Sequence, residues 1–173
     1  MLAPFGITFG EAPPTTFQRL NESYAFSDSA PSPHPKFASY SCLFDAEIGV
    51  AKVVAESAPF ENDTFGEEMR AAFAAIEQQL SNKYGTPERY DYLKVGSIWD
   101  GPHEWANSIM YRERMYACFW NSTTSTKLPD ELDCIGLQLG PSESGGVKLT
   151  ISYEGKLWDT VLARIQSKQA DVL

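Results

Sequence analysis

The chain predicts an α+β fold: a mainly antiparallel sheet with helices at about 65–84 and 156–168 packed on one face. Three observations carry this. Two pairs of alternating segments are joined by short polar turns, one long amphipathic run has clear start and stop signals, and helices are interspersed with strands rather than strictly alternating. The 173 residues suit a single domain spanning 1–173, long enough to bury a core without metal or disulfide staples.

Along the chain, Phe5–Phe9 reads as a short strand ending at Gly10, and Pro13 and Pro14 open a short helix through Leu20. Residues 27–36, Ser-Asp-Ser-Ala-Pro-Ser-Pro-His-Pro-Lys, form a Pro-rich internal connection. Phe37–Phe44 and Val50–Glu56 read as two strands, the first with Ala38, Tyr40, Cys42 and Phe44 on one face. In the run 65–84, Phe65, Met69, Ala72, Phe73, Ile76, Leu80 and Tyr84 recur at helical spacing. Thr64 and Glu67 have the spacing of a capping box, while Lys83, Gly85 and Pro87 mark the end. Tyr92–Trp99 reads as a strand, a brief helix starts near Asp100-Gly-Pro, and Met115–Trp120 is strand-like again. Leu132–Leu139 and Val147–Tyr153 both alternate and flank Gly-Pro-Ser-Glu-Ser-Gly-Gly, a hairpin turn. From Lys156, Leu157, Trp158, Val161, Leu162 and Ile165 return at helical spacing.

Composition limits the chemistry. A net charge of −9 argues against a nucleic-acid backbone as partner. Asp45, Glu47, Glu56, Glu61, Asp63, Glu67 and Glu68 crowd a stretch whose single base is Lys52. That stretch reads as a solvated acidic face or as a patch steering a basic partner. Cys42, Cys118 and Cys134 lie in apolar runs without Cys-x-x-Cys spacing, which suits reduced core thiols. No secretory leader and no membrane-spanning run is visible, so a cytoplasmic, membrane-free protein is the expectation.

Catalytic groups are few. His34 sits in a Pro-rich loop, and His103 lies beside Glu104 and near Asp100, with no second histidine to complete a zinc site. Cys118, in Tyr-Ala-Cys-Phe-Trp, has surroundings that suppress thiolate formation. Nucleophile-elbow, phosphate-loop and His-Glu-x-x-His motifs are missing from the sequence. The expectation is therefore no catalytic, cofactor-binding or metal-ligating residue. Between Tyr84 and Trp120 the chain is dense in Trp, Tyr and Arg, the types that dominate binding hot spots.

Within that segment, Lys83-Tyr-Gly-Thr-Pro87 is followed by Gly96-Ser-Ile-Trp-Asp-Gly-Pro-His-Glu-Trp105, and the chain opens with Gly6-Ile-Thr-Phe-Gly10. This pattern resembles a set of small uncharacterised bacterial α+β proteins. The resemblance implies a bacterial stand-alone domain and supplies no catalytic residue.

The reading that follows is a non-catalytic protein-binding domain, an acidic inhibitor or immunity-type protein against a toxin or other macromolecule with a basic surface. Its partner-binding residues would be Glu47, Glu61, Asp63, Trp99, Asp100, Trp105, Arg112 and Arg114. The alternative is a small-molecule-binding domain or hydrolase-type enzyme with a pocket near Trp99–Trp105, where Arg112 or Arg114 anchors an anionic group. The oligomeric state is left open.

Overall fold

A computed structural model of the chain describes residues 2–123, 125 and 127–173. Its strands are β1 (Gln18–Arg19), β2 (Tyr24–Ser27), β3 (Ser39–Asp45), β4 (Gly49–Glu56), β5 (Glu88–Leu93), β6 (Arg114–Asn121), β7 (Leu132–Pro141) and β8 (Val147–Gly155). Helices are α1 (Glu67–Tyr84), α2 (Trp105–Met110) and α3 (Trp158–Ala170). The fold is α+β, with one eight-stranded antiparallel sheet in the order β1-β2-β3-β4-β8-β7-β6-β5. The strands thus run as two four-stranded meanders, and α1 connects the last strand of the first to the first strand of the second.

The chain divides into two compact units, one of Met1–Ala55, Pro129–Cys134 and Ser152–Leu173, the other of Glu56–Leu128 and Ile135–Ile151. In the first unit Ala25, Cys42, Val53 and Val161 are fully buried. Phe5 adds three edge-on ring contacts, with Phe37 at 5.7 Å, Tyr40 at 5.1 Å and Tyr153 at 5.9 Å. Asp45 sits at the β3–β4 turn, where its Oδ1 accepts the Glu47 and Ile48 amides at 2.9 and 3.3 Å and the Arg164 guanidinium at 3.0 Å. Those amides, with help from Arg164 and Lys168, hold its carboxyl below the ordinary value of 3.8.

In the second unit α1 lays Met69, Ala72, Phe73, Ile76, Leu80 and Tyr84 into the core. Phe73 meets the Tyr116 ring at 4.7 Å, and Trp105 meets it at 5.3 Å. Trp120 is fully buried and donates its indole N–H to the Gly85 carbonyl at 2.7 Å, which ties β6 to the end of α1.

Several local expectations are corrected. Pro4–Gly6 is a 3-10 turn in place of a strand, with Phe5 at φ 56°. The Pro13–Leu20 helix is a turn leading into β1, whose Gln18 and Arg19 pair with Phe26 and Ala25. The capping box at Thr64 does not form: Gly66 takes the N-cap position at φ 69°, and Asp63 reaches past it to accept the Met69 amide at 2.8 Å. Phe65 leaves the apolar stripe and is half exposed. The strand expected at Tyr92–Trp99 begins earlier and stops at Leu93.

Candidate recognition surface

Beyond β5 the chain enters a loop over residues 94–101 that is fixed by hydrogen bonds to the approach to β6. The Lys94 amide donates to the Glu113 carbonyl at 2.7 Å, and the Ser97 amide turns back to the Lys94 carbonyl at 3.1 Å. Gly96 makes that turn at φ 81°. The Ser97 hydroxyl donates to the Glu113 carboxylate and accepts the Trp99 amide at 3.1 Å. Trp99 lies flat on Tyr111, with centroids 4.7 Å apart and planes inclined by 5°.

This bracing presents apolar groups to solvent. Val95 is 99% exposed and Ile98 76%, with Tyr92 and Tyr111 both more than half exposed. These are four of the nine large hydrophobic residues exposed among the described residues, and they lie on one loop and the two segments flanking it. An exposed apolar cluster on a fixed backbone is the ordinary signature of a contact surface. Beside it stand two cations, Lys94 and Arg112, both exposed, and Arg112 has a left-handed backbone at φ 58°. Both line an open groove of about 690 Å³ that also includes Tyr92, Gln138, Glu143 and Lys148.

The expected site residues separate into different roles. Trp99 belongs to the surface just described, and Asp100 follows it on the exposed loop. Arg112 borders the groove. Trp105 is buried instead, packed between Arg70 at 4.7 Å and Arg114 at 5.2 Å. Arg114 lines the same groove but is braced internally: its Nε donates to Ser108 Oγ at 2.9 Å, and Nη1 reaches Asp91 at 3.5 Å. Glu47 is exposed in the first unit and pairs with Arg164 at 2.8 Å. Glu61 and Asp63 belong to the second unit and line a smaller cleft of about 380 Å³ with Phe60, Asn107 and Met110.

Tyr92, Val95, Ile98 and Tyr111 escaped the sequence reading. The available signal was the sequence Leu-Lys-Val-Gly-Ser-Ile over 93–98, where glycine and serine interrupt an apolar alternation and so argue for a loop carrying exposed Val and Ile.

A second cluster joins Glu77, Arg89, Tyr116 and Cys118. Arg89 Nη1 donates to both Glu77 oxygens at 2.7 and 2.6 Å, and Nη2 donates to the Tyr116 hydroxyl at 2.8 Å. The Cys118 thiol donates to Glu77 Oε1 at 3.2 Å. Burial, then the Glu77 carboxylate, pushes the Cys118 thiol up to about 12, and burial also raises Tyr116. Cys118, Tyr116 and Arg89 keep their protons across the neutral range, so the cluster braces α1 against β5 and β6 and offers no nucleophile. The exposed His103 places its Nε2 3.4 Å from the half-buried Glu104. Among the described residues no group of three or more His, Cys, Asp or Glu is placed to hold a metal ion.

Comparison with protein-family models, curated proteins and solved structures finds no match to this chain. Among the described residues no helix is long and apolar enough to cross a membrane.

Proposed function

We propose that this protein acts by binding another protein, in the manner of an inhibitor or immunity-type protein, and that the residue 94–99 loop with Tyr92 and Tyr111 is its contact surface. The observation that supports this reading is the coincidence of high exposure with a fixed backbone: Val95 and Ile98 project from a loop held by Glu113, Ser97 and the Trp99–Tyr111 stack. Prearranged apolar groups lose little freedom on docking, which favours affinity. The net charge of −9 acts at longer range, steering a partner with a basic surface toward the protein, while the apolar cluster decides where it docks.

The test uses separately purified products of neighbouring genes, measured by surface biosensing against wild type, Val95→Asp, Ile98→Asp and Glu61→Lys. Loss of at least tenfold in affinity for the two loop variants, with melting temperatures unchanged, supports the reading. Charge reversal at Glu61 is expected to alter mainly the association rate and its salt dependence. Loop variants that bind a captured partner as tightly as wild type would remove this surface from consideration.

A second reading draws on the groove itself, where Lys94 and Arg112 suit a small anionic molecule. A thermal-shift screen with anionic metabolites tests it, because a bound ligand raises the melting temperature by mass action and Arg112→Ala should abolish that rise.

A further inference from the structure

β5 forms one edge of the sheet, and among the described residues its outer side has no strand partner. Its register on β6 is Glu88↔Phe119, Arg89↔Cys118, Tyr90↔Ala117, Asp91↔Tyr116, Tyr92↔Met115 and Leu93↔Arg114. The Lys94 amide donates to the Glu113 carbonyl, which makes Leu93↔Arg114 a wide, non-hydrogen-bonded pair. Alternation then makes Arg89 and Asp91 wide-pair residues too, so their amides and carbonyls point away from β6, toward the open edge. An exposed edge of this kind is a template for another strand unless its side chains forbid it.

We propose that β5 is a self-association surface, at which two copies of the chain pair antiparallel about a twofold axis through Tyr90. The side chains select this occupant and this register. In a symmetric pair the hydrogen-bonding residues must face one another, and two registers overlap most of the strand. Centring on Asp91 sets that carboxylate against its own copy. Centring on Tyr90 sets Arg89 of each copy against Asp91 of the other, so the outward backbone groups meet and both cross-strand pairs carry opposite charge. Each charge retains room for this contact: Arg89 is 43% exposed despite its Glu77 pair, and Asp91 is 47% exposed with Arg114 at 3.5 Å. On the opposite face Tyr90 meets Tyr90 of the second copy, and Glu88 meets Tyr92, another side chain able to donate to a carboxylate. Tyr90 already stands on Phe119 at 5.8 Å and donates to Glu88 at 2.6 Å, so its ring is held in place before pairing. A twofold pairing consumes the open edge of both copies and closes, which leaves no edge of β5 for further addition.

Cysteine cross-linking of the full chain tests the register. Residues directly opposed in a wide pair have Cα atoms about 4.5 Å apart, within the range a disulfide spans, roughly 4.4–6.8 Å. Tyr90→Cys should therefore form a covalent dimer rapidly under mild oxidation. Tyr92→Cys faces position 88 of the other copy and lies about 13 Å from its own counterpart, so it should cross-link far more slowly. In sedimentation, wild type should show concentration-dependent dimer at micromolar levels, and Asp91→Arg, which sets an arginine against Arg89 of the other copy in each cross-strand pair, should sediment as monomer while its circular dichroism shows it still folded. A wild type that stays monomeric at high micromolar concentration overturns the proposal. So does cross-linking at position 90 no faster than at position 92, including the case in which the edge accepts a strand from a different protein instead.

Discussion

Gly66→Ala is the substitution whose effect the structure specifies most closely. Gly66 begins α1 in the left-handed conformation at φ 69°, and a methyl group added there would sit 2.3 Å from Cε3 of Trp105. The left-handed backbone alone costs an L-residue about 1–2 kcal/mol. The clash adds a second cost, because Trp105 is only 8% exposed and is held between Arg70 and Arg114, so its ring cannot simply swing away. Forcing extra volume into a packed site costs about 1–3 kcal/mol, giving roughly 2–5 kcal/mol in total. Gly96→Ala is the control: it shares the left-handed backbone at φ 81° but has no atom within 4 Å of the added methyl. It should lose only the backbone contribution, about 1–2 kcal/mol. The assay is urea unfolding followed by tryptophan fluorescence, with free energies extrapolated linearly to water. For a chain of this length a 3 kcal/mol loss corresponds to roughly 6–12 °C in melting temperature. Equal losses at Gly66 and Gly96 would refute the steric argument. In a double-mutant cycle, Gly66→Ala made in a Trp105→Leu background should fall toward the Gly96 value, since the ring that obstructs the methyl is gone.

Three further outcomes follow from the same packing. Trp120→Phe removes the indole donor to Gly85 and opens a cavity, so it should destabilise by about 2–4 kcal/mol, read as a lower urea midpoint with unchanged slope. Asp45 has its carboxyl lowered below 3.8 in the folded chain, so the stability it contributes is fully present above that unfolded value and is lost as pH falls below it through the lowered folded-state value. Asp45→Asn should accordingly flatten the fall in urea midpoint between about pH 5 and pH 2, and parallel wild-type and variant curves would contradict this. The thiols of Cys42 and Cys118 stand near 12 and that of Cys134 near 11, all raised chiefly by burial. Iodoacetamide at pH 8 should therefore label the native protein far more slowly than the urea-unfolded chain, by mass spectrometry.

Elements with strong internal patterns were legible. The run that became α1 carried six buried side chains at helical spacing, and the β7–β8 hairpin and α3 announced themselves by alternation and period. What failed were segments whose conformation is decided by distant contacts. Residues 13–20 look like a proline-initiated helix, yet Gln18 and Arg19 find a ladder on β2 and Phe17 is drawn into the core. The start of α1 was misplaced by two residues, because Thr64 has the right spacing but Gly66 alone tolerates the left-handed turn under Trp105. β5 was shifted because Glu-Arg-Tyr-Asp-Tyr-Leu is polar and largely exposed on both faces, so an edge strand leaves no period-2 hydrophobic trace.

The candidate site was legible in residue type more than in position. A run of acids in sequence suggested a charged face, but the fold gives its members separate tasks. Asp45 organises a turn and binds Arg164, Glu56 pairs with Lys148 at 2.7 Å, and Asp63 caps α1. Arg114 and Trp105 show the same effect with the opposite chemistry, since two hot-spot residue types turn inward onto one another. Pairing partners lie far away in the chain: Asp45 meets Arg164 across 119 positions, a separation no local pattern encodes. Many exposed side chains, Glu47 and Arg89 among them, still make internal pairs, whereas Val95 and Ile98 are exposed apolar groups on a loop held by hydrogen bonds. Burying such groups in this chain's own core would have been favourable, and their display is why the proposed contact surface is placed on them.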